Sequence, residues 1–249
     1  FQPSEIVKFL VIVFYAGILV KNRDDLPYFW KGLVKHICMV APLIALLILE
    51  PHFSASIVIV GIVCIMMIVA GCKFSQFVAV GGGVGIPAIV LLIVKSPYRL
   101  KRVVSFLDPW KDATDTGWQV IQSLYAIGSG IYKYFCLLSP SPTPKRPPEP
   151  HNDFIFSIIG EELGFVGCTV IIVLFAIFIW RGILIAMRAP DMFGSLVAVG
   201  ITALVGIQVI INIAVVTSSM PATGMPLPFF SYGGTALFIL NLFLLFLFY

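Results

Sequence analysis

The sequence predicts an all-α, polytopic integral membrane protein, and two observations carry that reading. Of its 249 residues 59% are hydrophobic and only 11% charged, against about 25% charged in soluble domains. The mean hydropathy is +1.04, and the apolar residues gather in runs long enough to cross a bilayer, which takes about 20 residues of helix. A soluble enzyme, a nucleic-acid-binding module and a disordered tail are excluded on composition alone. The five cysteines, Cys38, Cys64, Cys72, Cys136 and Cys168, show no CxxC and no ligand-spaced histidine, so neither a disulfide framework nor a zinc site is indicated. The formal net charge of +4 matters less in such a chain than where the charges lie.

Apolar runs read against Pro, Gly and charge place about seven spans, at roughly 4–20, 33–49, 54–70, 75–94, 154–180, 192–217 and 229–249. The first opens on the helix-start residues Pro3 and Ser4. No basic n-region or cleavage site marks it as a signal peptide, and the chain is expected to begin part-way through a longer protein. The second and third spans are joined by the EPHFS turn at 50–54, which has almost no spare residues. Lys73 separates the third from the fourth. The GGGVG run at 81–85 lies inside the fourth span and follows no predicted strand, so close helix packing is favoured over a phosphate loop. Span five starts behind Asn152 and Asp153, both good N-cap types. Between spans six and seven, Pro221, Pro226 and Pro228 with Gly224, Gly233 and Gly234 break the chain into a re-entrant or kinked segment. Such backbone is tolerated in a membrane only if it is buried in protein or faces a watery cavity.

Orientation follows from Lys and Arg in short loops. Lys21, Arg23, Lys31 and Lys35 follow span one, Lys73 follows span three, and Arg181 and Arg188 follow span five. With seven spans these loops share one side, expected to be the cytoplasm, and residues 95–152 form one long external loop in a single membrane domain of 1–249. That loop is itself basic, but loops near 60 residues translocate largely regardless of charge, so its cations suggest an anionic substrate. Its stretch IYKYFCLLSPSPTPKRPP, with five prolines and no acid, reads as a polyproline-like linker.

Ionisable groups within a membrane cost at least about 2.5–3.5 kcal/mol each at its centre, so those that persist point to function. Asp153 serves either as a helix cap or as a site residue. Glu161 lies eight residues on, about two turns, which would put both carboxylates on one helix face. Glu162, turned by about 100°, is expected to pair structurally. Glu5 and Lys8 stand at i, i+3, where a local ion pair is favoured over a substrate role. Glu50 and His52 belong to the tight turn, either as a buried hydrogen-bonded feature or as part of a site.

Five blocks, FQPSEIVKF, EPHFS, SPYRLKRVVSFLDPWKDATDTGWQVIQSLYAIGSG, PEPHNDFIFSIIGEELGFVG and GMPLPFFSYGG, resemble in that order the signature blocks of the SEDS family of shape, elongation, division and sporulation proteins. The match runs through almost the whole chain apart from 131–147, and the DPW and PEPHNDFIF blocks look closer to the division and sporulation branches. The resemblance implies a ten-span fold of which this chain holds the last seven, in a bacterial plasma membrane. It also implies a peptidoglycan glycosyltransferase that polymerises lipid II, the undecaprenyl-pyrophosphate-linked disaccharide peptide. The family's essential aspartate falls on Asp153 and its GEELG pair on Glu161. Arg99 and Arg102 fall on the basic start of its loop, with Lys101 between them, and Glu5, Lys8 and His52 are further candidates for substrate binding. Two departures stand out. His52 replaces an aspartate found in many relatives, and after GSG the chain reads IYKYFCLLSPSPTPKR in place of a Gly-rich, basic stretch of similar length, as two compensating frameshifts would leave it.

Polymerisation needs a hydroxyl of the acceptor sugar to attack the anomeric carbon of the donor, with a carboxylate as base and cations for the departing pyrophosphate. Asp153 is the expected base and Arg99, Lys101 and Arg102 the expected clamp. A divalent cation could share the clamp, although no dedicated metal-site spacing is present. The family implies a single-span class B penicillin-binding protein as partner in the lipid bilayer, and no nucleic acid. The alternatives are a lipid II flippase or transporter, which would share a polar cavity and broken helices, and a non-catalytic scaffold for the penicillin-binding protein.

Overall fold

Helix accounts for most of the described chain. The computed structural model describes residues 3–49, 53–108, 110, 121, 123–125, 128, 155–221 and 223–230. Helix α1 (Pro3–Lys21) leads through a 3₁₀ turn (Arg23–Asp25) and a π-helical stretch (Phe29–Val34) into α2 (Lys35–Leu49), followed by α3 (Phe53–Ala70). Next come α4 (Phe74–Val80), a second π-helical stretch (Gly81–Gly85), α5 (Ile86–Val94) and α6 (Pro97–Leu107), then α7 (Ile155–Arg188) and α8 (Met192–Val216). Among the described residues four helical stretches are long and apolar enough to cross a membrane: Phe29–Ile48, Phe74–Val94, Glu162–Arg188 and Met192–Val216. The shorter Ser54–Ala70 is apolar as well. The first six runs read from the sequence each fall on described helix, and 231–249 of the seventh lies outside the described residues. The molecule is a multi-pass, all-α membrane protein.

The structure corrects two expectations. Span five is not one continuous helix over 154–180. It bends at Gly164, whose φ of 62° and ψ of −160° lie where only glycine is readily accommodated, and it then runs on to Arg188. Gly167 completes the bend, since a Cβ there would stand 2.2 Å from that of Leu163. Nor does the GGGVG run pack closely against another described helix at positions 81–83. It forms the π-helical joint between α4 and α5, and no described atom lies within 4 Å of where a Cβ would sit on Gly81, Gly82 or Gly83.

Two compact units emerge, one drawn from Phe1–Ala88 and Phe178–Ile207, the other from Ile89–Ile177 and Gln208–Gly233. In the first, Ile12, Tyr15 and Leu19 of α1, Ile59, Ile62 and Met66 of α3, and Leu196 and Ile201 of α8 form the buried core. With no hydrophobic drive between helices in lipid, association depends on close approach at small residues. Gly200 provides it, because a Cβ there would lie 2.6 Å from Ile12 Cγ2 and 3.0 Å from Met66 Sδ.

In the second unit Phe156, Ile171, Phe175, Val209, Ile211, Met225 and Leu227 are buried. The chain between α8 and Phe230 is non-helical, as its prolines and glycines predict. Asn212 Nδ2 donates to the Met225 carbonyl at 2.7 Å, and Phe175 faces Phe229 and Phe230 with ring centroids 6.5 and 6.1 Å away. Part of the irregular backbone is thus hydrogen-bonded and packed against protein, the condition under which a membrane tolerates it. Large apolar side chains left exposed along α7, among them Val166, Val170, Val173, Leu174 and Ile177, suit contact with lipid tails.

Candidate functional site

Helical spacing brings Glu5 and Lys8 together one turn apart on α1, and Lys8 Nζ lies 2.5 Å from Glu5 Oε1. The local ion pair expected from i, i+3 is therefore present. The sequence did not reveal its burial: Glu5 is 7% and Lys8 4% exposed. A buried pair must offset the desolvation of two charges, so an apolar helix that retains one marks a polar site within the first unit.

The basic candidates lie in the second unit. Arg99, Lys101 and Arg102 belong to α6, and Arg102 is half-buried. Glu161 occupies the second turn of α7, ahead of the Gly164 bend, while Glu162 is exposed. Asp153, two residues before α7, and Glu50 and His52, just before α3, lie outside the described residues, as do 111–120 and 129–154, which make up most of the long loop. Of the candidate site residues, the structure brings together Glu5 and Lys8. Among the described residues no group of three or more His, Cys, Asp or Glu could hold a metal ion.

Two polar clusters escaped the sequence reading. His36 is fully buried, its Nδ1 lies 2.5 Å from the Gly32 carbonyl, and its own carbonyl accepts the Tyr15 hydroxyl at 2.7 Å. Because a carbonyl only accepts, Nδ1 carries the proton. In α8, Gln208 and Asn212 are buried at i, i+4. That spacing of amides inside an apolar span was the available signal, whereas His36 sits beside Lys31 and Lys35 at the opening of the 33–49 run and reads as one more polar residue at a span end.

Comparison with known proteins bears on all of this. A family model described as a cell cycle protein, covering FtsW, RodA and SpoVE, matches residues 1–248. The stage V sporulation protein E of Bacillus subtilis is 42% identical over 246 residues, 95% of this chain and 64% of that protein. A probable peptidoglycan glycosyltransferase FtsW of Trichlorobacter lovleyi is 41% identical over 248 residues, 96% of this chain and 62% of that one. The chain thus spans somewhat under two thirds of the length of these relatives. A chain solved in a peptidoglycan synthase complex, studied for its coordination of polymerization and crosslinking, superimposes with a TM-score of 0.76 at 28% identity, covering 99% of this chain and 69% of that chain. The rod shape determining protein RodA of Thermus thermophilus, at 24% identity and a TM-score of 0.65, covers 99% of this chain and 64% of its own and supports the fold.

Proposed function

Because the chain belongs to the FtsW, RodA and SpoVE family of cell cycle proteins, we propose that it is part of a peptidoglycan glycosyltransferase of the bacterial plasma membrane that polymerises lipid II. The observation that carries the reading is the buried Glu5–Lys8 pair inside an apolar helix, in the FQPSEIVKF block that resembles the family's. The names borne by the FtsW relatives support the reaction class.

In the proposed step Asp153 accepts the proton of an acceptor-sugar hydroxyl as that oxygen bonds to the donor's anomeric carbon. The bond from that carbon to the pyrophosphate breaks, and the lipid pyrophosphate departs with the electron pair. Arg99, Lys101 and Arg102 would meet its growing negative charge, an electrostatic contribution that increases toward the transition state. Glu5 pairs with Lys8 and orients it, so that the Lys8 side chain can meet a substrate anion without being buried unpaired in the substrate-free protein. Glu161 and His52 would complete the substrate contacts. A divalent cation could share the clamp on the departing pyrophosphate. The proposed partner is a single-span class B penicillin-binding protein, a pairing supported by the crosslinking studied in the similar synthase complex.

The test is polymerisation of purified lipid II by the full-length protein in detergent. Detergent leaves no compartments, so a flippase has nothing to do there. Glycan chains are expected, and their absence with a folded protein would overturn the reading.

A further inference from the structure

The sequence of α6, PYRLKRVVSFL, repeats an apolar residue at Leu100, Val104 and Leu107, within about 60° of arc on a helix. These three are 42, 55 and 76% exposed, while Val103 and Phe106 on the adjoining face are half-buried. The helix contains no acid, and Arg99 and Lys101 occupy the register positions on either side of Leu100. Close by in sequence, Trp110 meets Tyr125 edge-on with ring centroids 5.9 Å apart, and both rings are largely exposed. Finally, α6 starts three residues after the membrane-crossing stretch Phe74–Val94 ends, with the extended Ser96 (φ −110°, ψ 109°) as the break between them.

We propose that α6 is an interfacial helix lying in the plane of the membrane at the leaflet where 74–94 ends. Its Leu100, Val104 and Leu107 stripe dips into the boundary between acyl chains and headgroups, and its basic residues stand level with the lipid phosphates. Eleven residues make a helix about 16 Å long, too short to cross a hydrocarbon core of about 30 Å, so an apolar stripe along its length is buried only by lying flat. The bilayer is favoured over a protein partner as the occupant. The chain itself delivers α6 to the bilayer surface, the acid-free helix is complementary to phosphate-bearing headgroups, and an exposed Trp–Tyr pair is the usual composition of the interfacial belt. The consequence is that Arg99, Lys101 and Arg102 meet phosphates carried by lipids rather than phosphates free in solution. The inference stands whether or not the protein is a glycosyltransferase.

The test is a nitroxide scan of positions 98–107 in the full-length protein, on a background without native cysteines, in vesicles of phosphatidylcholine with a minority of phosphatidylglycerol. Collision with oxygen and with a water-soluble nickel chelate reports depth. The expected profile oscillates with a period of about 3.6 residues, with positions 100, 104 and 107 open to oxygen and shielded from nickel. Nickel access at all three would show a solvated helix and overturn the proposal. Shielding from both reagents would show a protein cover and overturn it equally. Each position is read by itself, so one variant that does not fold leaves the others to decide.

Discussion

Lys8 is 4% exposed, and the carboxylate that balances it, Glu5, lies one turn away on the same helix. Removing one member of such a buried pair leaves the other uncompensated, so Lys8→Met should destabilise the protein by about 3–5 kcal/mol, whereas the double variant Glu5→Gln with Lys8→Met should lose much less. Thermal denaturation in detergent separates these outcomes. Equal losses in the single and double variants would show that packing, not charge, dominates. At the other polar cluster, Asn212→Leu removes the donor to the Met225 carbonyl and leaves that acceptor buried, at about 1–3 kcal/mol. Limited proteolysis should then cut within 221–230 more readily than in the parent. Burial pushes the Cys72 thiol above its ordinary value, which lowers its thiolate fraction at neutral pH. Alkylation of Cys72 should therefore be slow at pH 7 and continue to accelerate with pH beyond the range of an ordinary free thiol, as mass spectrometry of modified peptides would show. The Glu5–Lys8 pairing was legible because i, i+3 is a local relation. Its burial was not, because α3 and α8, which pack around α1, are distant in sequence.

Helix α7 carries the largest departure from the element pattern. Hydropathy finds a run because bilayer thickness sets its length, but it is blind to one residue with positive φ, and Gly164 interrupts α7 without interrupting the apolar pattern. Gly164→Ala should cost about 1–3 kcal/mol, the scale of a strained backbone position, and thermal melting of the purified variant measures it. The glycines of the π-helical joint behave in the opposite way. Small residues permit close approach without requiring it, and Gly82 has open space around its Cβ position. Gly82→Ala is accordingly expected to be neutral or to stabilise by up to about 1 kcal/mol through reduced backbone entropy. A large loss in the same melting experiment would mean that another helix does pack there. The Pro and Gly run after α8 was legible as a break, since proline cannot extend a helix. That Asn212 holds this break in place was visible only once the chain had folded back on α8.

For the whole molecule, the sequence established the class, a multi-pass all-α protein, because charge depletion and hydropathy are sums over the chain and do not depend on packing. The site was legible only in part. Its proposed residues lie on elements far apart in sequence, and the motif order, rather than any periodicity, associates them. Topology offers a test at this scale. With the short basic loops inside, a cysteine introduced at Thr116 should react with a membrane-impermeant reagent in intact cells while one at Lys73 stays protected, and the reverse pattern would invert the orientation. The central claim is that a carboxylate in this chain performs base chemistry on a lipid-linked sugar. The most direct measurement is lipid II polymerisation by the full-length protein carrying Asp153→Asn, a change that preserves size while removing the base. The expected result is a protein that still folds and binds lipid II but polymerises it about 10²-fold more slowly or worse, the usual scale for a positioned base; turnover equal to the parent would contradict the account.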